Sequence, residues 1–260
     1  MRITVLGKSP AWQDAGGACS GYLVQDAGYA LLIDCGSGVF SKLRGVIDYV
    51  ELDAILISHL HADHSLDLVP FSYALTYSPR QEDVAAPARP ELYAPAGASK
   101  FFRTLFGCFD PDDLINEAFD VHDYEVSDQL ALGPFRLRFC EVPHFVRTFA
   151  VEIATATARV TYSADCGPSD DLVAFARDTD LLLIEATLPN PEPSEDRGHL
   201  TPSEAGQHGR LAGAKAVVIT HFSDELDAVW TRAEATRAYG ADVGLAYEGA
   251  VYTLPASPSA

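Results

Sequence analysis

Residues 52–64, LDAILISHLHADH, decide the reading of this chain. The apolar stretch 52–58 has the length and β-branched content of a short buried strand, and it runs directly into His59, His61, Asp63 and His64. Side chains on an extended segment alternate with period two, so His59 and His61 face the same side. A turn after them can bring Asp63 and His64 back to the same point. Four candidate ligands within six residues form an imidazole and carboxylate set of the kind that suits zinc and its first-row neighbours.

Upstream of this stretch, residues 2–6 (RITVL) read as a strand, and 16–36 (GGACSGYLVQDAGYALLIDCG) as two strands joined by a turn at 26–29. Val39, Leu43, Val46, Ile47 and Val50 have helical spacing, which predicts a helix over 39–50. Downstream, the pattern predicts a helix over 65–75, a polar, Pro-rich loop over 78–90, a strand at 91–94, a helix over 99–106 and a helical or irregular piece over 111–123. Strands return at 135–142, 149–155 and 158–165. They are followed by a helix over 170–177, a strand at 180–186, a helix over 202–212, a strand at 216–220, a helix over 225–239 and a closing strand pair over 243–254. Two β-rich halves, each flanked by helices, imply an α/β fold, a four-layer αββα sandwich. The expected organisation is a single domain over 1–254 with a flexible tail over 255–260 (PASPSA).

Composition narrows the class of function. A chain of 260 residues that is 48% hydrophobic can bury a substantial core. No run approaches the length of a membrane span and no signal core follows Met1, so the expected location is the cytoplasm, with no membrane partner. The five cysteines form no Cys-x-x-Cys pair and are expected to be small packed thiols. A formal charge of −19 repels the phosphate backbone of a long nucleic acid. A small molecule is therefore the expected substrate.

Three more candidates stand where strands are expected to end: His144 in EVPHF, Asp165 in VTYSADCG and His221 in VVITHFS. With the His-x-His-x-Asp-His stretch, and with Asp34 in LLIDCGSG ahead of it, the chain resembles the metallo-β-lactamase superfamily across nearly its whole length. The resemblance implies two divalent metal ions, Zn²⁺ first and Mn²⁺ or Fe²⁺ as alternatives. It assigns His59, His61 and His144 to one ion, Asp63, His64 and His221 to the other, and makes Asp165 the bridge. Asp34 would brace the ligand loop from behind. Two ions about 3.5–4 Å apart can share an activated hydroxide and clamp the oxygens of an in-line displacement.

Residues 181–190 (LLLIEATLPN) and 198–206 (GHLTPSEAG) further resemble the Glu-Ala-Thr and His-x-Thr segments of ribonuclease Z and related phosphodiesterases. Carried over, Glu185 would orient His199, and His199 would protonate the leaving oxygen or stabilise the charged transition state. The expected catalytic residues are thus Asp63, within the ligand set, with Glu185 and His199. Thr201, Pro202 and Glu204 also read as the cap of the following helix.

The chain departs from ribonuclease Z in continuing after His221 with Phe-Ser-Asp-Glu-Leu, and in having no basic insertion suited to transfer RNA. A small phosphodiester, of the cyclic-nucleotide or cyclic-phosphate type, is the expected substrate, ahead of lactone or thioester hydrolysis at the same centre and of tRNA 3′-processing. A non-catalytic scaffold has no reason to keep such a ligand set. A homodimer is expected from the relatives. Arg147 is a lesser candidate for a substrate anion, Phe71, Tyr73 and Tyr77 are expected in the core rather than at a pocket wall, and His122 and His208 are expected on the surface.

Overall fold

A computed structural model of the chain describes residues 1–84, 86–109, 113–194 and 196–254. The expected tail over 255–260 lies outside the described residues. The first half of the chain lays down β1 (Arg2–Gly7), β2 (Gly21–Asp26), β3 (Tyr29–Ile33), β4 (Ala54–Leu56), β5 (Glu91–Pro95) and β6 (Asp120–Tyr124). The second sheet contains β7 (Gln129–Leu132), β8 (Phe135–Val142), β9 (Thr148–Ala154), β10 (Arg159–Tyr162), β11 (Leu181–Glu185), β12 (Val217–Thr220) and β13 (Gly244–Leu245). The last strand, β14 (Val251–Thr253), returns to the first sheet beside β1, which gives the orders β14-β1-β2-β3-β4-β5-β6 and β13-β12-β11-β10-β9-β8-β7.

Alternation along the strands generates the layers. On β3, Leu31 and Ile33 join a core with Phe135, Val151, Tyr162 and Leu183 of the other sheet, while Leu32 points the opposite way to Phe40, Phe71 and Phe102. On β11, Leu181 and Leu183 enter the core between the sheets, and Leu182 and Ile184 pack outward on Leu172 and Ala205. Three apolar layers separate four layers of secondary structure, as the αββα reading requires. The outer layers hold α1 (Val39–Leu43), α2 (Ala62–Ser65), α3 (Leu68–Tyr77), α4 (Ala98–Phe106) and α5 (Leu114–Ala118) on one side, and α6 (Asp170–Phe175), α7 (Pro202–Ala212) and α8 (Ala228–Tyr239) on the other.

Several boundaries differ from the expectation. The helix expected over 39–50 stops at Leu43; a turn follows at Arg44–Gly45, and Asp48 caps a separate short 3₁₀ turn at Tyr49–Glu51. Glycine permits the break, and the spacing of Val46 and Ile47 had concealed it. The helix expected over 65–75 runs over Leu68–Tyr77 as α3, and a separate short helix, α2 over Ala62–Ser65, precedes it and carries Asp63 and His64. Within 111–123, α5 gives way to β6, whose charged sequence DVHDY hid a strand at the edge of its sheet. Residues 110–112 lie outside the described residues. Among the described residues, no helix is long and apolar enough to cross a membrane.

β3, β4, β5 and β6 run parallel, as do β10, β11, β12 and β13. Their carboxyl ends therefore collect at one edge of the sandwich, where the loops carrying Asp34, His59–His64, Asp165, Glu185 and His221 meet.

Candidate metal centre

The backbone here is drawn tight before any side chain is placed. Asp34 follows β3 with a positive φ of 58°, and its carboxylate accepts from the Ser58 amide at 2.7 Å and the Ser58 hydroxyl at 2.9 Å. The Cys35 amide donates to the His64 carbonyl at 2.7 Å and the Ser20 amide to the Asp63 carbonyl at 3.1 Å. Gly36 is needed at this contact, since a Cβ there would lie 1.9 Å from the Asp63 carbonyl oxygen. On the other sheet, Ala164 before Asp165 (φ 51°) and His221 itself (φ 51°) take left-handed conformations that non-glycine residues adopt at a cost. Such strain at the ends of β10 and β12, which flank β11, aims both side chains inward.

Two groups of side chains converge. His59, His61, His144 and Asp165 form one, and Asp63, His64, Asp165 and His221 the other; within each, one candidate ligand atom per residue lies within 4.8 Å of the rest. His61 Nδ1 is 3.2 Å from His59 Nε2 and 3.2 Å from His144 Nε2, and His64 Nε2 is 3.4 Å from His221 Nε2. Tetrahedral zinc with bonds of about 2.0–2.1 Å sets its ligand atoms about 3.3–3.4 Å apart, so these spacings match a zinc coordination shell. Asp165 links the groups. Its Oδ1 lies 3.2 Å from His64 Nε2 and 3.3 Å from His221 Nε2, while Oδ2 lies 3.9 Å from both His59 and His144 Nε2. Oδ1 is buried with no hydrogen-bond partner, which a cation between the groups would relieve. The donor set and its spacing fit divalent metal ions.

The outer nitrogens of four imidazoles fix which inner nitrogen carries the lone pair. Ser58 Oγ can give its proton to Asp34 and so accept from His59 Nδ1 at 3.1 Å; His64 Nδ1 donates to Asp34 Oδ2 at 2.7 Å. His144 Nδ1 donates to the Gly198 carbonyl at 2.8 Å, and His221 Nδ1 meets Thr187 Oγ1 at 2.7 Å, whose own proton goes to Glu185 at 2.9 Å. In its neutral form each ring so held presents an unprotonated Nε2 inward, the tautomer a metal ligand needs. Burial alone would lower the His64 pKa, but Asp165 and Asp34 prevail and raise it, so a metal ion would have to displace that proton. Burial lowers the pKa of His59 and His144, which favours the neutral form. Burial alone would raise the Asp165 pKa, but the imidazoles of His221 and His64 outweigh it and hold the carboxyl well below its usual range.

Beside the second group stands a His–carboxylate pair. His199 Nδ1 lies 2.8 Å from Glu185 Oε1, and Glu185 also accepts from the amides of Cys166, Thr187 and Leu200 and the Thr187 hydroxyl. The His199 ring stacks on His221 at 5.7 Å between centroids and meets His144 edge-on at 5.0 Å. Burial works against its protonation, yet the hydrogen bond and charge of Glu185 prevail and push His199 up to about 9. Glu185, His199 and His221 could themselves form a third ligand group.

All seven ligand residues expected from the sequence thus stand together, with Glu185 and His199 at their side. The lesser candidates stand elsewhere. Arg147 forms a two-pronged pair with Glu125 at 3.1 Å and a second, shorter contact, and Phe71 is buried among Phe40, Tyr49 and Phe119 while Tyr77 is exposed. His208, expected on the surface, is buried: its Nδ1 donates to the Glu204 carbonyl and its Nε2 accepts from the Ser169 amide, joining α7 to the start of α6. His122 is only half-buried and stacks on Tyr93. Cys108 is exposed rather than packed. The sequence reading missed Thr187, Ser58 and Tyr162, whose hydroxyl donates to Asp34 at 3.0 Å. Thr187 had a signal, the third position of the Glu-Ala-Thr segment.

The family model of the β-lactamase superfamily domain matches residues 29–222. The chain belongs to that superfamily, has the metallo-β-lactamase fold and is a metallo-hydrolase of the superfamily. It is 30% identical to Bacillus subtilis YhfI, by its name a probable metallo-hydrolase, over 97% of this chain and 99% of that one. The crystal structure of YhfI superposes with a TM-score of 0.85 at 29% identity, covering 97% of this chain and 99% of YhfI. Mycobacterium tuberculosis Rv1339 is 32% identical over 85% of this chain and 81% of its own length. Ribonuclease Z of Myxococcus xanthus is 26% identical over 98% of both chains.

Proposed function

We propose that this chain is a two-metal phosphodiesterase acting on a small phosphodiester of the cyclic-nucleotide or cyclic-phosphate type. His59, His61 and His144 would hold one ion, Asp63, His64 and His221 the other, and Asp165 would bridge them. The nitrogen-rich donor set favours Zn²⁺. When bound, the ions supply an activated water and compensate the negative charge of the diester.

The observation that carries the reading is the Glu185–His199 pair at 2.8 Å, seated against His221 and His144. Glu185 fixes Nδ1, leaving Nε2 as the ring nitrogen that can give a proton to the departing oxygen as the P–O bond breaks. An alkoxide is a poor leaving group, so a positioned acid matters most for this chemistry. Its raised pKa keeps His199 charged at neutral pH, and cations in the cleft would draw that pKa back toward the working range. The likeness to a protein named ribonuclease Z supports phosphoryl chemistry, while the net charge of −19 opposes a long polyanion.

The test is to load the purified protein with Zn²⁺ or Mn²⁺ and compare turnover of bis(p-nitrophenyl) phosphate, cyclic nucleotides and simple lactones. Diester cleavage abolished by chelation supports the proposal. Appreciable lactone cleavage without diester cleavage overturns it.

A further inference from the structure

Phe145 follows the expected ligand His144 and is 58% exposed, although its ring lies 5.1 Å from that of His144 and 5.9 Å from that of His199. Its seat is made by an absence: a Cβ on Gly198 would lie 2.4 Å from Phe145 Cε2. Gly198 is in turn held by its carbonyl on His144 Nδ1 at 2.8 Å and by its amide on Glu192 at 2.8 Å. One part of the ring is thus fixed against a backbone tied to the metal centre, and the rest faces a cleft of about 580 Å³ lined by Pro143, His144, Phe145, Pro168, Asp196 and Arg197. This volume falls within the range of small-molecule sites.

The charges in the cleft narrow what it can take. The Arg197 guanidinium already makes two bonds to Glu204 at 2.6 and 2.8 Å and one to the His199 carbonyl at 3.3 Å, so it is engaged rather than offered to an anion. Asp196 opposes a second phosphate. What the cleft offers is an aromatic face flanked by two prolines, a surface suited to a flat, neutral ring. We infer that Phe145 is a stacking platform for the heterocyclic base of a nucleotide-type substrate, placed so that a base on Phe145 sets its phosphate over the metal centre. The inference rests on the phosphodiester reading and narrows the substrate from any small diester to one that carries a base.

The measurement is equilibrium binding to the Zn²⁺-loaded full chain of adenosine 5′-monophosphate and of ribose 5-phosphate, which lacks the base. Base stacking on an aromatic side chain is worth roughly tenfold or more in affinity. The wild type is expected to prefer the nucleotide about tenfold, Phe145→Ala and Phe145→Leu to erase that preference, and Phe145→Trp to retain it. Phe145→Leu keeps apolar bulk against Gly198, so loss of preference there reports stacking rather than a collapsed loop. Equal binding of the two ligands by the wild type, or a preference that survives in Phe145→Leu, overturns the inference. Turnover keeps the two claims apart. A protein that cleaves only lactones refutes the phosphodiester reading, whereas failure of the base preference in a protein that cleaves diesters refutes only the role of Phe145.

Discussion

Thr187 Oγ1 has one proton to give, and with Glu185 Oε2 at 2.9 Å and the His221 carbonyl at 3.0 Å as acceptors it can only accept from His221 Nδ1. Thr187→Val keeps the shape of the side chain and removes that acceptor, freeing His221 to turn its lone pair outward. Zinc affinity, measured by competition with a chromogenic chelator, is expected to fall about 10–100-fold. His199→Ala acts on a different step. It is expected to lower kcat on a phosphodiester by about 10²–10⁴-fold while metal analysis finds the zinc content unchanged; zinc loss would place His199 among the ligands instead. The convergence of the candidate ligands was legible at this scale because they carry unusual chemistry at short spacing, as in residues 59–64. Ser58, Thr187 and Tyr162 were not, because a hydroxyl that sets a tautomer looks in sequence like any other serine, threonine or tyrosine.

Among the elements, α7 bears most directly on the site, since its first turn sets the end of the loop that carries His199. Thr201 accepts from the Glu204 amide, and Glu204 answers with bonds from the Thr201 amide and hydroxyl at 2.9 Å while pairing with Arg197. Glu204→Gln is expected to cost about 1 kcal/mol in urea unfolding of the metal-free protein at pH 7. Burial alone would raise the Glu204 pKa, but Arg197 and Thr201 prevail and hold it below its usual value. For a depressed pKa the stabilisation is complete above the unfolded value, about 4.3, and is lost as pH falls through the folded value. The difference between wild type and Glu204→Gln should therefore shrink in acid; a gap that persists there would mean the carboxylate charge is not what stabilises the cap. The cap was readable from Thr-Pro-x-Glu because capping is local chemistry. The end of α1 and the strand β6 were not, because tertiary packing overrides the local pattern at both places: apolar spacing continues past Leu43, and the charges of β6 sit at a sheet edge.

On the scale of the whole molecule, the centre draws on both halves: His59, His61, Asp63 and His64 follow β4, whereas His144, Asp165 and His221 follow β8, β10 and β12. Metal bound there would tie the halves together and stabilise only the folded chain. At zinc about 100-fold above its dissociation constant the gain is about 2.7 kcal/mol per site, and in a chain of this size each kcal/mol moves Tm by about 2–4 °C. Chelation should thus lower Tm by about 5–10 °C for one site, and added zinc should restore it. The three-layer core was foreseeable from two β-rich halves with flanking helices, whereas the crossing of β14 into the first sheet depends on long-range pairing that no local pattern specifies. The central claim joins these scales: the proposed phosphodiesterase would hold two metal ions on the seven candidate ligands and a proton on the Glu185–His199 pair. Its most direct test is the kcat of the zinc-loaded protein and of its His199→Ala variant on a cyclic nucleotide, whose departing oxygen is an alkoxide that needs the proton, with metal content measured on the same samples. The account predicts that wild type turns over, that the variant is slower by at least about 100-fold, and that both carry two zinc ions per chain; equal rates, or no diester turnover by fully loaded wild type, would contradict it.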